Sequence, residues 1–238
     1  MLMQEKFLWK GRLGPISLRI SDTTFRPSTI SALVAREIRV DEGDIAIDVG
    51  CGSGILAIIA AKLGARHVYA IDKSPDVIEV GRANAEANRV SDRVTFYCGD
   101  LFEPLDRSIK ADVIIGDVSG IPDALADESG WFPTKGGGGA RGSELPIRML
   151  EEARRRLAAG GRLLLPTGSL QDETSIIETA KGLYTRVRKL TERRIPLPSK
   201  IASSQVLSDL AERGVVRITT RGSRALWEAR VWEVSGIA

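Results

Sequence analysis

A glycine-rich segment near the start of the chain joins a short apolar run to an Ala-rich apolar run. Residues 48–54 read Asp-Val-Gly-Cys-Gly-Ser-Gly and precede the helix-like run 55–63. Glycines at Gly50, Gly52 and Gly54 allow a sharp turn and a close approach by a ligand. The helix that follows offers free N–H groups and the positive end of its dipole to an anionic group. The pattern predicts a small-molecule site at a strand–helix turn.

The spacing of the glycines indicates which ligand to expect. A dinucleotide site has the pattern Gly-x-Gly-x-x-Gly. Here Ile55 stands at the position of the third glycine, which argues against NAD. A second strand-like run, 67–71, ends in Asp72, about where a ribose-binding carboxylate belongs in such a unit. The ligand is predicted to carry a ribose and a small anionic group.

Segment 48–54 and the pair Ile71-Asp72 together resemble the class I S-adenosylmethionine (SAM) methyltransferases. The resemblance implies SAM as cofactor, with Asp72 on its ribose, Asp100 near its adenine amine and Asp48 holding its ammonium group through water. Each of these aspartates is also suited to a helix cap or a turn. The residues expected to contact the cofactor are Asp48, Gly50, Gly52, Gly54, Asp72, Asp100, Leu101 and Asp117.

Further segments resemble the glutamine-amide methyltransferases that modify release factors and the related ribosomal protein methyltransferases. They are 24–29, 99–105, 138–142 and 157–163, and the similarity covers roughly residues 15–185. The release-factor enzymes carry Asn-Pro-Pro-Tyr after the fourth strand. This chain has Asp-Val-Ser-Gly-Ile there, without the prolines and the aromatic residue.

Asp117 is the predicted catalytic residue. Methyl transfer from a sulfonium has a neutral leaving group, so alignment and exclusion of water are the main tasks of the protein. Asp117 follows the strand-like run 111–116, at the carboxyl edge where α/β sheets bind ligands. A carboxylate there is able to orient an amine and, if burial raises its pKa, to take its proton. A turn-forming aspartate before Ser119-Gly120 is the alternative.

Three residues are predicted to contact the methyl acceptor. Arg26 lies in a segment that resembles one closing over SAM, and a helix entry capped by serine is the alternative. Trp131 and Phe132 precede the glycine run 136–139 and are predicted to form an aromatic wall beside a mobile loop. Packing of that loop onto the core is the other interpretation.

Composition narrows the function classes. The formal net charge is +3, so a nucleic-acid partner is possible but not favoured. The sequence has one histidine, His67, so no metal site is expected. Cys51 and Cys98 do not form a disulfide framework. No apolar run approaches the roughly 20 residues of a membrane span, and no signal peptide is recognisable. We therefore expect a cytoplasmic protein that does not contact a membrane, of unknown oligomeric state.

Strand-like and helix-like runs alternate along the chain, which predicts an α/β fold. The resemblance implies a Rossmann-like methyltransferase fold: a mostly parallel seven-stranded sheet, helices on both faces and an antiparallel last strand. We expect an N-terminal extension over 1–30 and a methyltransferase domain over 31–238. Within the latter, 199–224 is read as an insertion before the last strand. Other expected elements are helices at 143–158 and 199–213 and strands at 162–166, 184–195, 215–219 and 225–234.

These patterns favour a methyltransferase acting on nitrogen, in a protein side chain or a small amine. An RNA base methyltransferase is the second hypothesis, because related folds modify bases. A non-catalytic methyltransferase-like subunit is the third, since the segment after Asp117 departs from the family motif. The intact glycine segment argues against that third hypothesis.

Overall fold

The computed structural model of the chain describes residues 4–133 and 137–237. The strands in this part are β1 (Gln4–Trp9), β2 (Ile16–Ser21), β3 (Ile45–Val49), β4 (His67–Asp72), β5 (Val94–Cys98), β6 (Ala111–Gly116), β7 (Leu157–Gly168), β8 (Tyr184–Pro196), β9 (Thr219–Arg221) and β10 (Arg224–Ile237). The helices are α1 (Thr29–Glu37), α2 (Ile55–Leu63), α3 (Pro75–Ala87), α4 (Asp123–Ser129), α5 (Glu144–Ala153), α6 (Glu173–Leu183), α7 (Ser199–Ala202) and α8 (Gln205–Glu212).

The chain divides into two compact units. The first comprises Met1–Asp117 with Glu152–Leu165, and the second comprises Val118–Glu151 with Pro166–Ala238. Strand β7 begins in the first unit and ends in the second. No helix in the described ranges combines the length and apolarity that crossing a membrane requires.

The first unit is built on parallel strands in the order β5-β4-β3-β6-β7. Strand β3 lies in the middle, and four of its five residues are buried. Its last residue, Val49, pairs with Ile71 of β4 and Gly116 of β6. Parallel strands end at a common edge, so Asp72 and Asp117 come beside the glycine segment 50–54.

Helix α2 follows the glycine segment directly and is apolar nearly all round, with seven buried residues. It packs on β3 and β4, which explains why its sequence lacks a polar face. The helix ends at Gly64, whose φ of 119° is the left-handed conformation that favours glycine.

The antiparallel pair β1–β2 belongs to the first unit, and α3 packs against β2. Asn84 of α3 is fully buried. Its side chain accepts a hydrogen bond from Arg19 N at 2.6 Å and donates to Arg19 O at 3.0 Å and Ser53 O at 2.9 Å. One side chain thus ties a strand of the N-terminal segment and the glycine segment to the same helix.

The second unit contains the antiparallel strands. Strand β10 lies between β7 and β8 and also pairs with β9. Helices α4 and α8 pack together over an apolar cluster. Its buried members are Leu125, Leu170, Leu197, Ile201, Leu207, Leu210, Val215 and Val216.

The predicted fold class is confirmed: parallel strands with helices and an antiparallel terminal strand form a Rossmann-like sheet. The predicted helix over 143–158 is too long, since α5 ends at Ala153 and β7 already begins at Leu157. The reason is a turn at 154–156, where Arg156 O accepts a hydrogen bond from Ala111 N at 2.7 Å. That bond starts the pairing of β7 with β6.

The region 199–224 contains two helices and a short strand rather than one helix and a strand at 215–219. Ser204 separates α7 from α8 because its Oγ caps α8, accepting from Leu207 N at 3.2 Å. Val215 and Val216 are not strand residues. They fold back after Gly214 and are buried in the apolar cluster, and Val215 N donates to Leu210 O at 2.9 Å. Helix α4 had no counterpart in the sequence prediction.

Candidate functional site

The glycine segment forms a tight turn fixed by the neighbouring strand. Gly50 N and Cys51 N both donate to Ile71 O at 2.9 Å. The φ angles of Gly50, Gly52 and Gly54 are 74°, 50° and 79°, a conformation that other residues rarely adopt. Burial raises the pKa of the Cys51 thiol well above its ordinary value, so this thiol is uncharged.

Asp72 holds the turn from the end of β4. Its Oδ2 accepts a hydrogen bond from Gly52 N at 3.1 Å, and its Oδ1 accepts one from Ser74 N at 3.1 Å. The first bond places the carboxylate beside the glycine turn. The second closes a turn just before α3, whose N-cap residue is Ser74. The role of Asp72 as a cofactor residue stays a prediction.

Asp48 lies under the turn and is fully buried. Its Oδ2 accepts from Ala57 N in the first turn of α2 at 2.9 Å, whereas its Oδ1 has no hydrogen-bond partner among the described residues. Burial, reinforced by the charges of Asp117 and Asp72, raises the pKa of Asp48 to about 8. A buried carboxylate oxygen without a partner is suited to a cationic or hydrogen-bond-donating ligand group.

Asp117 follows β6 and is partly buried. Ser31 of α1 donates a hydrogen bond from Oγ to Asp117 Oδ2 at 3.2 Å. Burial raises the pKa of Asp117 to about 6, and the bond from Ser31 opposes that rise. A carboxyl group with this pKa is able to exchange a proton near neutral pH.

The segment 24–29 lies beside the glycine turn. A Cβ on Gly52 would approach Phe25 O to 3.8 Å, which shows that backbone runs past the turn there. Ser28 caps α1 in a capping box with Ser31. Arg26 is exposed, pairs with Glu5 and lies over the ring of Phe7 at 5.6 Å. Its contacts in this structure are with β1.

Asp100 and Leu101 lie at the start of the loop after β5. Leu101 is buried and has a positive φ of 47°, which is uncommon for a residue with a side chain. Asp100 is exposed, and its backbone oxygen accepts from Glu103 N at 3.0 Å. The loop is therefore a tight turn, with Asp100 accessible to a ligand.

Trp131 and Phe132 belong to the second unit. Trp131 is partly buried and packs against the apolar cluster around α4 and α8. Phe132 is partly buried as well. Trp131 therefore packs on the core of its unit, and a role of the two aromatic residues in contacting the methyl acceptor stays a prediction. The adjoining residues 134–136 lie outside the described residues.

The first unit thus brings together Asp48, Asp72 and Asp117 with the glycine turn, at one edge of the parallel strands. Three groups that position them were missed in the sequence. Ser31 and Asn84 contact residues far along the chain, and Ser53 was noticed only as part of the glycine segment. The serine cap at 28–31 was visible as a helix start, but no local pattern connects it with Asp117.

Comparisons with known proteins match this same region. Residues 23–125 match the model of a family described as ribosomal protein L11 methyltransferase (PrmA). The ribosomal protein L11 methyltransferase of an Exiguobacterium species is 34% identical over 155 residues, 65% of this chain and 49% of that protein. The one from Shigella sonnei is 45% identical over 96 residues, 40% of this chain and 32% of that protein. The chain spans between a third and a half of these curated relatives.

Solved structures show the same fold at low sequence identity. The ribosomal protein L11 methylase of Lactobacillus delbrueckii subsp. bulgaricus aligns with a TM-score of 0.54 and 17% identity, covering 88% of this chain and 78% of that one. The Methanocaldococcus jannaschii tRNA m1G37 methyltransferase aligns with a TM-score of 0.60 and 16% identity, covering 98% and 55%. At these identities the similarity concerns the fold.

The comparisons support the class I methyltransferase part of the resemblance and its ribosomal-protein branch. They do not support the release-factor glutamine group specifically. That outcome agrees with the missing Asn-Pro-Pro-Tyr motif after β6, where this chain has Asp117-Val118-Ser119-Gly120.

Proposed function

We propose that this chain is a SAM-dependent methyltransferase that methylates nitrogen in a protein acceptor, with ribosomal protein L11 as the first candidate. The observation that carries the proposal is the cluster of three aspartates on the glycine turn, in which Asp48 Oδ1 is buried and unpartnered within the described residues. The match of residues 23–125 to the L11 methyltransferase family supports it and supplies the candidate acceptor.

The residues at the turn fit SAM. The unpartnered oxygen of Asp48 offers a site for the ammonium group, directly or through water. Asp72, at the end of β4, is suited to the ribose, and Asp100 to the adenine amine. Bound SAM supplies an activated methyl group on a sulfonium. The glycines at 50, 52 and 54 allow a ligand to approach the backbone closely.

The chain's own contribution to transfer centres on Asp117. Its Oδ1 is available to accept a hydrogen bond from an acceptor nitrogen, while Ser31 holds Oδ2 and so fixes the orientation of the carboxylate. Because burial raises its pKa to about 6, Asp117 is ionised at neutral pH and is able to take a proton from an ammonium substrate. An oriented, deprotonated amine is the nucleophile that methyl transfer requires.

The test is methylation of purified recombinant L11 with methyl-labelled SAM. We expect label in L11 that is lost to protease and insensitive to RNase. A parallel incubation with a cell lysate broadens the search if L11 is not labelled. Label lost to RNase would contradict a protein acceptor, and label in small molecules would point to a small amine. SAM binding without label in any fraction would favour a subunit that no longer catalyses.

A further inference from the structure

Two polar atoms of the second unit are buried without a hydrogen-bond partner in the described part of the chain: Oγ of Ser119 and Nε2 of Gln171. Gln171 as a whole is only 7% exposed. Buried amides and hydroxyls in folded proteins are nearly always hydrogen-bonded, so these two atoms call for a partner that the described residues do not supply, either water or a group of a bound molecule.

Gln171 lies against Gly120, the residue that follows Ser119 in the chain. A Cβ on Gly120 would lie 2.8 Å from Oε1 and 3.5 Å from Nε2 of Gln171. The amide of Gln171 therefore lies against the Cα of the residue that follows Ser119. A side chain at position 120 would displace this amide from its present position.

The backbone on both sides of Gln171 is anchored. Leu170 is buried in the apolar cluster of the second unit. Asp172 N donates to Arg141 O at 3.0 Å, and Asp172 Oδ2 accepts from Arg141 Nε at 2.8 Å. Asp172 also caps α6 through Ser175 N. Gln171 is thus presented by a fixed backbone, as a recognition residue requires.

The segment after Ser119 is held equally firmly. Gly138 N donates to Ile121 O at 2.7 Å. A Cβ on Gly138 would lie 2.7 Å from Ser119 O and 3.0 Å from the Cα of Gly120. Backbone packs on backbone here, which fixes the loop that carries Ser119.

We propose that Ser119 and Gln171 form a subsite that binds a peptide carbonyl oxygen of the methyl acceptor. The proposal rests on the proposed function, and only Val118 separates Ser119 from Asp117 in the chain. Nε2 and Oγ both donate, so the group they bind accepts hydrogen bonds. The neighbouring cation, Arg141, is already paired with Asp172, which favours a neutral acceptor over an anion. Both are positioning residues for the acceptor.

The kinetic test uses Gln171→Leu and Ser119→Ala with L11 as substrate. We expect the KM for L11 to rise about tenfold in each, the loss of one hydrogen bond, with kcat and SAM affinity retained. The unfolding temperature should stay constant or rise, because an unpartnered buried group is removed. Gln205→Leu and Ser208→Ala, on the exposed face of α8, are the matched controls. A KM within twofold of the parent value in both variants would overturn the proposal.

A second measurement does not depend on L11. The side-chain amide signal of Gln171 in a ¹H–¹⁵N spectrum, identified by its loss in Gln171→Leu, is followed during titration with N-acetyl-lysine methylamide. We expect it to shift with this probe and not with butylamine, which has no carbonyl. A shift while L11 remains unlabelled would refute L11 as acceptor and support the subsite. No shift, or equal shifts with both probes, would count against the subsite whatever happens to L11.

Discussion

At the scale of single residues, three aspartates on one turn have three different environments. Asp72 is bonded to backbone N–H groups on both oxygens, Asp117 to one serine hydroxyl, and Asp48 to one N–H with its second oxygen unpartnered in the described residues. Burial raises the pKa of Asp48 to about 8 and that of Asp117 to about 6. These environments agree with the proposed roles: cofactor binding for Asp48 and Asp72, and proton transfer for Asp117.

Asp117→Asn should lower kcat/KM for the methyl acceptor by about 100-fold or more, with SAM affinity nearly unchanged. Since the ionised carboxylate is the active form, kcat/KM of the parent protein should rise with pH through about 6 and then level off. In the Asp117→Asn variant, kcat/KM should not show this rise with pH. Stopped assays from pH 5 to 8, with SAM affinity from calorimetry, check both points. Turnover like that of the parent would remove Asp117 from the mechanism, and the exposed Asp76→Asn is the control.

Asp48→Asn should change how the stability of the ligand-free protein depends on pH. The folded-state pKa of about 8 lies above the unfolded value, so the folded state binds the extra proton and stability falls as pH rises from about 4 to 8. The variant lacks this loss. Its unfolding temperature relative to the parent should therefore rise between pH 5 and pH 8, by about 3 °C or more.

Scanning calorimetry across this pH range makes the measurement, with Asp76→Asn as the control for a change of net charge. A constant difference between Asp48→Asn and the parent at all pH values would contradict a raised pKa at Asp48. The variant should also bind SAM more weakly, because an amide replaces the carboxyl group that is proposed to hold the ammonium group.

At the scale of elements, Gly81 allows α3 to pack closely against the ring of Phe96. A Cβ on Gly81 would lie 2.8 Å from Cδ1 of Phe96 in β5, and the same ring would lie 3.1 Å from a Cβ on Gly54. Phe96 is buried between the start of α2 and the middle of α3. One ring on β5 thus sets how closely α3 and the glycine turn approach the strands.

Gly81→Ala should lower the free energy of unfolding by about 1–3 kcal/mol, because the methyl group overpacks a full site. Gly182→Ala is the matched control: this glycine is also in a helix, α6, and nothing lies within 4 Å of an added Cβ. There the substitution should be neutral or stabilise by up to about 1 kcal/mol through helix propensity. Urea titrations of both variants measure these changes in the free energy of unfolding. Equal changes in the two variants would show that contact with Phe96 is not the cause.

At the scale of the whole molecule, the proposed cofactor residues belong to the first unit and the apolar cluster around α8 to the second. The aspartates were predicted from the sequence because they lie at or just after the ends of strands, which is a local pattern. The division of 31–238 into a domain with an insertion stays a prediction. Region 199–224 supplies Ile201, Leu207 and Val216 to the core of its unit, so its removal would expose that core.

SAM at 100 times its dissociation constant should stabilise the protein by about 2.7 kcal/mol and raise the unfolding temperature accordingly. Asp72→Ala should lose most of this increase, since the residue holds Gly52 N and is proposed to bind the ribose. Thermal shift with and without SAM checks this, and the exposed Asp92→Ala should behave like the parent. An increase that survives in Asp72→Ala would exclude Asp72 from the cofactor site.

The sequence by itself determined what depends on neighbours along the chain. Glycine spacing gave the turn at 50–54, strand ends gave Asp72 and Asp117, and alternating periodicity gave the fold class. Two predicted helices had wrong bounds. The single helix predicted over 199–213 is divided in two by the serine cap at Ser204. The helix predicted over 143–158 ends early because a hydrogen bond from Ala111 N to Arg156 O starts β7.

The tertiary structure alone decided what depends on groups far apart in the chain. Ser31 meets Asp117 across 86 residues, and Asn84 meets Ser53 across 31. The amide of Gln171 lies against Gly120, 51 positions earlier in the chain. Burial raises the pKa values of Asp48 and Asp117, and the charges of Asp117 and Asp72 raise that of Asp48 further, which no local pattern encodes. The residue types and their spacing therefore predicted the kind of site, whereas the pKa values of its carboxyl groups depend on how the sheet packs around them.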